Sequence, residues 1–173
     1  MRLFLAIDLP EDLQDQITEL YCPELEQVRW TVSHQLHITL VFIGDQPHQH
    51  LEEIIEAVSE TSFEPFELRL QKIGYFKSGI IWLGVEESEP LKRLQKSLSH
   101  KVRGLDIELE QRKYTPHITL GRSKKLTSQL ISQVSHKGLG FTANMEVSTF
   151  QLKSSVLKAD GAEYLTEVEF LPD

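Results

Sequence analysis

The chain has 173 residues, 40% of them hydrophobic and 25% charged, and its 18 Lys+Arg against 26 Asp+Glu leave a formal charge of −8. That composition excludes disorder, collagen and fibres, and the acidic total argues against wholesale binding to a nucleic-acid backbone. A single cysteine, Cys22, rules out an intrachain disulfide and any multi-cysteine metal cluster; with no signal peptide and no spanning run of apolar residues, a cytoplasmic protein outside the membrane is expected.

Residues 2–8 alternate Leu3, Leu5 and Ile7 against Phe4, Ala6 and Asp8, which predicts a strand, and Pro10-Glu11-Asp12 opens a helix with Leu13, Ile17 and Leu20 on one face. A second strand is predicted over Leu36–Ile43, with Leu36, Ile38, Leu40 and Phe42 as its apolar side and a stop at Gly44-Asp45. Leu51, Ile54, Ile55 and Val58 then repeat at helical spacing. Strands over Phe66–Phe76 and Ile80–Val85 flank Lys77-Ser78-Gly79 and should form a hairpin. Ser88-Glu89-Pro90 starts a helix carrying Leu91, Leu94, Leu98 and Val102, and a strand over Tyr114–Leu120 follows. A weaker helix carries Leu126, Leu130, Ile131 and Val134. Two strands, Val147–Leu157 and Glu163–Phe170, close the chain around Asp160-Gly161. No low-complexity linker separates the halves, so residues 1–173 read as one α+β domain with two sheets or lobes.

One tetrapeptide occurs twice, as His37-Ile38-Thr39-Leu40 and His117-Ile118-Thr119-Leu120. In a strand, residues i and i+2 share a face, so each copy presents a His and a Thr together and turns Ile and Leu the other way. Charge supplies an independent signal. Residues 27–44 contain no acid and carry only Arg29, while residues 111–145 contain no acid and carry Arg112, Lys113, Arg122, Lys124, Lys125 and Lys137, a local balance of +6 in a chain of −8. Such a stretch in an acidic protein is suited to a small anionic target.

Two imidazoles and two hydroxyls beside an anion suit phosphoryl chemistry. A neutral ring takes a proton from water while a protonated ring gives one to the leaving oxygen. Thr39, Thr119 and Arg122 can hold the nonbridging oxygens as charge builds on phosphorus. Neither motif has a neighbouring carboxylate, which disfavours a magnesium, manganese or zinc site. The remaining candidates are weaker. His48-Gln49-His50 lies in a polar loop with no third ligand, Trp30, Tyr75, Phe76 and Trp82 read as core aromatics, Gly138-Leu139-Gly140 lacks phosphate-loop spacing, and Cys22 has no paired His.

These residues resemble the 2H phosphoesterase superfamily, whose hallmark is two H-x-[ST]-hydrophobic motifs about eighty residues apart. Arg2 to Pro10, Val28-Arg29-Trp30, Leu36 to Leu40 with Phe42-Ile43-Gly44, Ile81 to Val85, Tyr114 to Arg122 and Gly161-Ala162-Glu163-Tyr164 look in order like its RNA 2′,3′-cyclic phosphodiesterase branch, also called 2′-5′ RNA ligase-like. The resemblance implies a bilobal α+β fold, two antiparallel sheets with pseudo-twofold symmetry flanked by helices around a central cleft. It implies metal-independent hydrolysis of RNA or nucleoside 2′,3′-cyclic phosphate to the 2′-phosphate, without a cofactor and by a monomer, with ligation as the reverse reaction. His37 would protonate the departing 3′ oxygen, His117 would deprotonate water, and Thr39, Thr119 and Arg122 would hold phosphate. Only the second copy has an Arg five residues after its His, and Lys153-Ser154-Ser155 is an approximate counterpart of a basic C-terminal segment. Two other readings fit the same residues: a module that holds a nucleotide or RNA end without turnover, and an enzyme of this chemistry acting on ADP-ribose cyclic phosphate.

Overall fold

A computed structural model describes residues 1–172. Its strands are β1 (Arg2–Asp8), β2 (Arg29–Trp30), β3 (His37–Asp45), β4 (Phe66–Phe76), β5 (Ile80–Val85), β6 (His117–Arg122), β7 (Thr142–Val147), β8 (Phe150–Lys158) and β9 (Gly161–Phe170); its helices are α1 (Glu11–Thr18), α2 (Leu51–Ser59), α3 (Glu89–Arg103) and α4 (Ser128–Lys137). The strands run in the order β7-β4-β5-β6-β3-β1-β8-β9, all antiparallel, with β2 paired to β6.

The two motif strands, β3 and β6, are central, and each leads an outer set of three strands. They meet through one paired residue on each, Ile38 and Ile118. The two expected sheets are therefore halves of one hydrogen-bonded sheet, pinched at that pair. Beyond it the strands part, and side-chain hydroxyls take up motif carbonyls: Tyr114 donates to Thr39 O at 2.8 Å and Thr31 to Thr119 O at 3.0 Å. A buried carbonyl left without a donor would cost about 1–3 kcal/mol.

Local chemistry explains most elements. Ser88 caps α3 by accepting from Leu91 N, Pro90 sits in its first turn, and Leu91, Leu94, Leu98 and Val102 are buried. Gly79, at φ +104, turns the β4–β5 hairpin. Core packing is carried by one cluster that includes Leu3, Leu5, Ile7, Ile38, Leu40, Ile118, Leu120 and the buried faces of all four helices.

Further features depart from the sequence reading. Neither β2 nor β7 is among the predicted strands, although in β7 Ala143, Met145 and Val147 alternate with polar residues. The predicted Val147–Leu157 strand is broken: Val147 ends β7 against β4, and Phe150 begins β8, which pairs with β1 in the other half. An unbroken strand could not serve both. Finally, Phe42 does not join the apolar side of β3. The pairing of β1 with β3 slips by one residue at Leu40, so Leu40 and Val41 are both buried and Phe42 emerges on the opposite face, 56% exposed.

Candidate active site

Antiparallel register around Ile38–Ile118 sets His37 across from Thr119 and Thr39 across from His117, all four on the face opposite the two isoleucines. The same slip occurs in β6. Ile81 pairs with Gly121 and Trp82 with Thr119, so Leu120 is the extra residue, as Leu40 is in β3. An odd offset of five would otherwise turn Arg122 away from His117; the slip returns it to the histidine face. In β3 the corresponding position is Phe42.

Each imidazole is oriented alike. His37 Nδ1 lies 2.8 Å from Gln35 O, and His117 Nδ1 lies 2.8 Å from Thr115 O. A carbonyl only accepts, so in the neutral rings Nδ1 carries the proton and Nε2 is the free base. His37 Nε2 lies 3.1 Å from Thr39 Oγ1, which donates to it. Aromatic side chains wall both rings: Tyr164 stands edge-on to His37 at 5.2 Å with Phe4 at 5.3 Å, and Phe76 stands edge-on to His117 at 5.0 Å.

Burial pushes His37 below the ordinary imidazole range. Its bond to the Gln35 carbonyl opposes this by favouring the protonated ring, and two nearby charges act in opposite senses, Lys153 lowering and Asp8 raising. Those two charges are joined. Lys153, on β8 and with only 8% of its side chain exposed, places Nζ 2.9 Å from Asp8 Oδ1 and 3.0 Å from Thr166 Oγ1. Asp8 is the cross-strand partner of His37. This carboxylate beside the motif is thus already engaged by a lysine.

A family model for the 2′-5′ RNA ligase superfamily matches residues 9–156. The chain belongs to that superfamily. An RNA 2′,3′-cyclic phosphodiesterase of Methanothermobacter thermautotrophicus is 34% identical over 184 residues, covering 98% of this chain and 97% of its own, and one of Archaeoglobus fulgidus is 29% identical over 170 residues, covering 95% and 96%. The crystal structure of TT0787 of Thermus thermophilus superposes with a TM-score of 0.83 at 27% identity, over 99% of this chain and 97% of that one. The α+β architecture implied by the resemblance is therefore the one present.

In this superfamily member all five sequence-derived site residues, His37, Thr39, His117, Thr119 and Arg122, lie on one face of β3 and β6. The sequence places neither Asp8 nor Lys153 in the site, Lys153 entering only through the approximate Lys153-Ser154-Ser155 match, and Phe76 and Trp82 read as core. Asp8 is legible as the polar end of an alternating strand; Lys153, which no local pattern in β8 singles out, is not. Trp82 pairs with Thr119 and so lies on the site face, its indole over Gly74, where an added Cβ would come within 2.3 Å of the ring. His48 and His50 sit in a 3-10 turn, and among the described residues no group of three His, Cys, Asp or Glu side chains is gathered to hold a metal. No helix among them is long and apolar enough to cross a membrane.

Proposed function

We propose that the protein is an RNA 2′,3′-cyclic phosphodiesterase that opens the cyclic phosphate of RNA ends or nucleosides to the 2′-phosphate by metal-independent acid–base catalysis. The observation that carries this reading is the matched presentation of two imidazoles, each with Nδ1 anchored to a carbonyl and Nε2 left for chemistry, diagonal to one another about a single Ile–Ile pair. The substrate class is supported by relatives named RNA 2′,3′-cyclic phosphodiesterase at 34% and 29% identity over nearly the whole chain, and cleavage at the 3′ oxygen is what the family resemblance implies.

In the proposed reaction His117 Nε2 removes a proton from water as its oxygen attacks phosphorus. The bond from phosphorus to the 3′ oxygen breaks, and protonated His37 delivers its Nε2 proton to that oxygen, leaving the phosphate on the 2′ oxygen. Thr39, Thr119 and Arg122 hold the nonbridging oxygens, with the guanidinium supplying fixed positive charge where negative charge accumulates. Burial opposes the proton on His37 in the open cleft, and the anionic phosphate restores it, so the acid is charged by the substrate it serves. Ligation of a 5′-hydroxyl to the cyclic phosphate is the same path run backward. The enzyme is proposed to work as a cytoplasmic monomer without a cofactor.

Incubation of an oligonucleotide ending in a 2′,3′-cyclic phosphate with the protein in EDTA tests the reading, with the product identified by phosphorus NMR. A 2′-phosphate formed at an undiminished rate is expected. Binding without turnover would make the protein a nucleotide-holding module, and turnover that requires added metal would overturn the two-histidine mechanism.

A further inference from the structure

The shortest strand, β2, adds a second guanidinium to the site face. Arg29 pairs directly with Arg122 across β2 and β6, and Trp30 pairs with Gly121. Trp30 turns inward, stacking on Tyr21 at 4.7 Å and donating from Nε1 to Cys22 O at 3.2 Å. Successive residues of a strand alternate, so Arg29 projects to the other side, the side of Arg122 and the histidines.

A second observation agrees. A Cβ built on Gly161 would lie 3.4 Å from Arg29 Nη1. Gly161 is at the turn of the β8–β9 hairpin, in the opposite half of the sheet, so the Arg29 side chain reaches across the mouth of the cleft to the far lobe. Gly161 has φ +127, a conformation that favours glycine.

Like charges placed directly opposite on neighbouring strands repel. Neither Arg29 nor Arg122 forms an ion pair with a carboxylate among the described residues, although the chain carries 26 acids. The two arginines come from the two stretches that contain no acid, 27–44 and 111–145. An anion between or along them removes the repulsion. The cyclic phosphate accounts for one negative charge at the histidines and Arg122; the second guanidinium, farther out at the mouth, is left for another.

We propose that Arg29 forms, beside Arg122, a second phosphate subsite for the phosphodiester one nucleotide upstream of the cyclic phosphate. The proposal rests on the phosphodiesterase reading above and narrows its substrate class to oligonucleotide ends in preference to free nucleoside cyclic phosphates. Single strands are held in this way elsewhere, by cationic side chains that follow the backbone.

The test uses two dinucleotides, ApA ending in a 2′,3′-cyclic phosphate, one with the natural charged linkage and one with a neutral methylphosphonate linkage. Wild-type kcat/KM should favour the charged linkage by roughly tenfold, the size of one lost charge-assisted contact at an exposed site. Arg29→Gln should bring that ratio close to one, and Arg29→Lys should keep part of it. Because each ratio is taken within one variant, a folding defect cancels. Indifference of the wild type to linkage charge, or an unchanged ratio in Arg29→Gln, overturns the subsite. If the wild type turns over neither dinucleotide, the phosphodiesterase reading fails instead. The same ratio measured by equilibrium binding of the two dinucleotides then decides the role of Arg29.

Discussion

Arg122 shares a face with His117 although it lies an odd five positions on, because β6 slips against β5 at Leu120 and reverses the alternation. In the proposed mechanism that guanidinium meets the negative charge that builds on phosphorus. Arg122→Ala should weaken transition-state binding by about 1–3 kcal/mol, a fall in kcat/KM of roughly 5- to 150-fold. Arg122→Lys should recover only part, since an ammonium cannot present the planar fork that matches two phosphate oxygens. Steady-state kinetics on a cyclic-phosphate substrate measure both.

His37→Ala and His117→Ala should each lower kcat by about a hundredfold or more, the size of one general acid–base contribution. The two losses differ in kind. A substrate with sulfur in place of the bridging 3′ oxygen has a leaving group that needs no proton. His37→Ala should regain rate on that substrate relative to wild type, and His117→Ala should not. The reverse pattern would exchange the acid and base roles.

The lowered pKa of His37 makes stability depend on pH. An unfolded chain takes up a proton on this ring near pH 6.5, whereas the folded ring takes it only at lower pH. Between those values the unfolded state holds more protons, so stability is lost as pH falls below about 6.5 and is fully present above it. Melting temperatures at about pH 7.5 and 5.5, either side of that value, should show a larger acid-induced drop in the wild type than in His37→Gln. Equal drops would assign the effect to other groups.

Asp8 and Lys153 form an unequal pair, since 38% of the Asp8 side chain is exposed against 8% for Lys153. Asp8→Asn strands a buried ammonium with Thr166 as its remaining anchor, and should destabilise the fold by about 2–3 kcal/mol. Lys153→Met leaves a carboxylate that water can reach and should cost about 1 kcal/mol. Urea titration of both variants checks the order; a greater loss in Lys153→Met would contradict the burial argument.

Alternation and capping are local, and they are legible at β1, α1, the β4–β5 hairpin and α3, whose patterns repeat within a few residues. The repeated His-x-Thr likewise puts His37 with Thr39 and His117 with Thr119, each pair on one face of its strand, and the missing acids around them mark an anion site. What escapes is nonlocal. A one-residue slip at Leu40 or Leu120 depends on which strand lies alongside, so simple alternation puts Phe42 in the core and gives Arg122 no geometric reason to face its histidine. Lys153 and Asp8 are 145 residues apart, and only the pairing of β8 with β1 brings them together.

The amino-acid order by itself determined that two strands each carry a histidine and a threonine on one side, because that follows from the two-residue period of an extended chain. Tertiary structure alone decided that those strands meet at Ile38 and Ile118, that a slip brings Arg122 into line, and that Arg29 crosses the cleft mouth. These relations are set by hydrogen-bond register between segments far apart in the chain, and no local pattern encodes register.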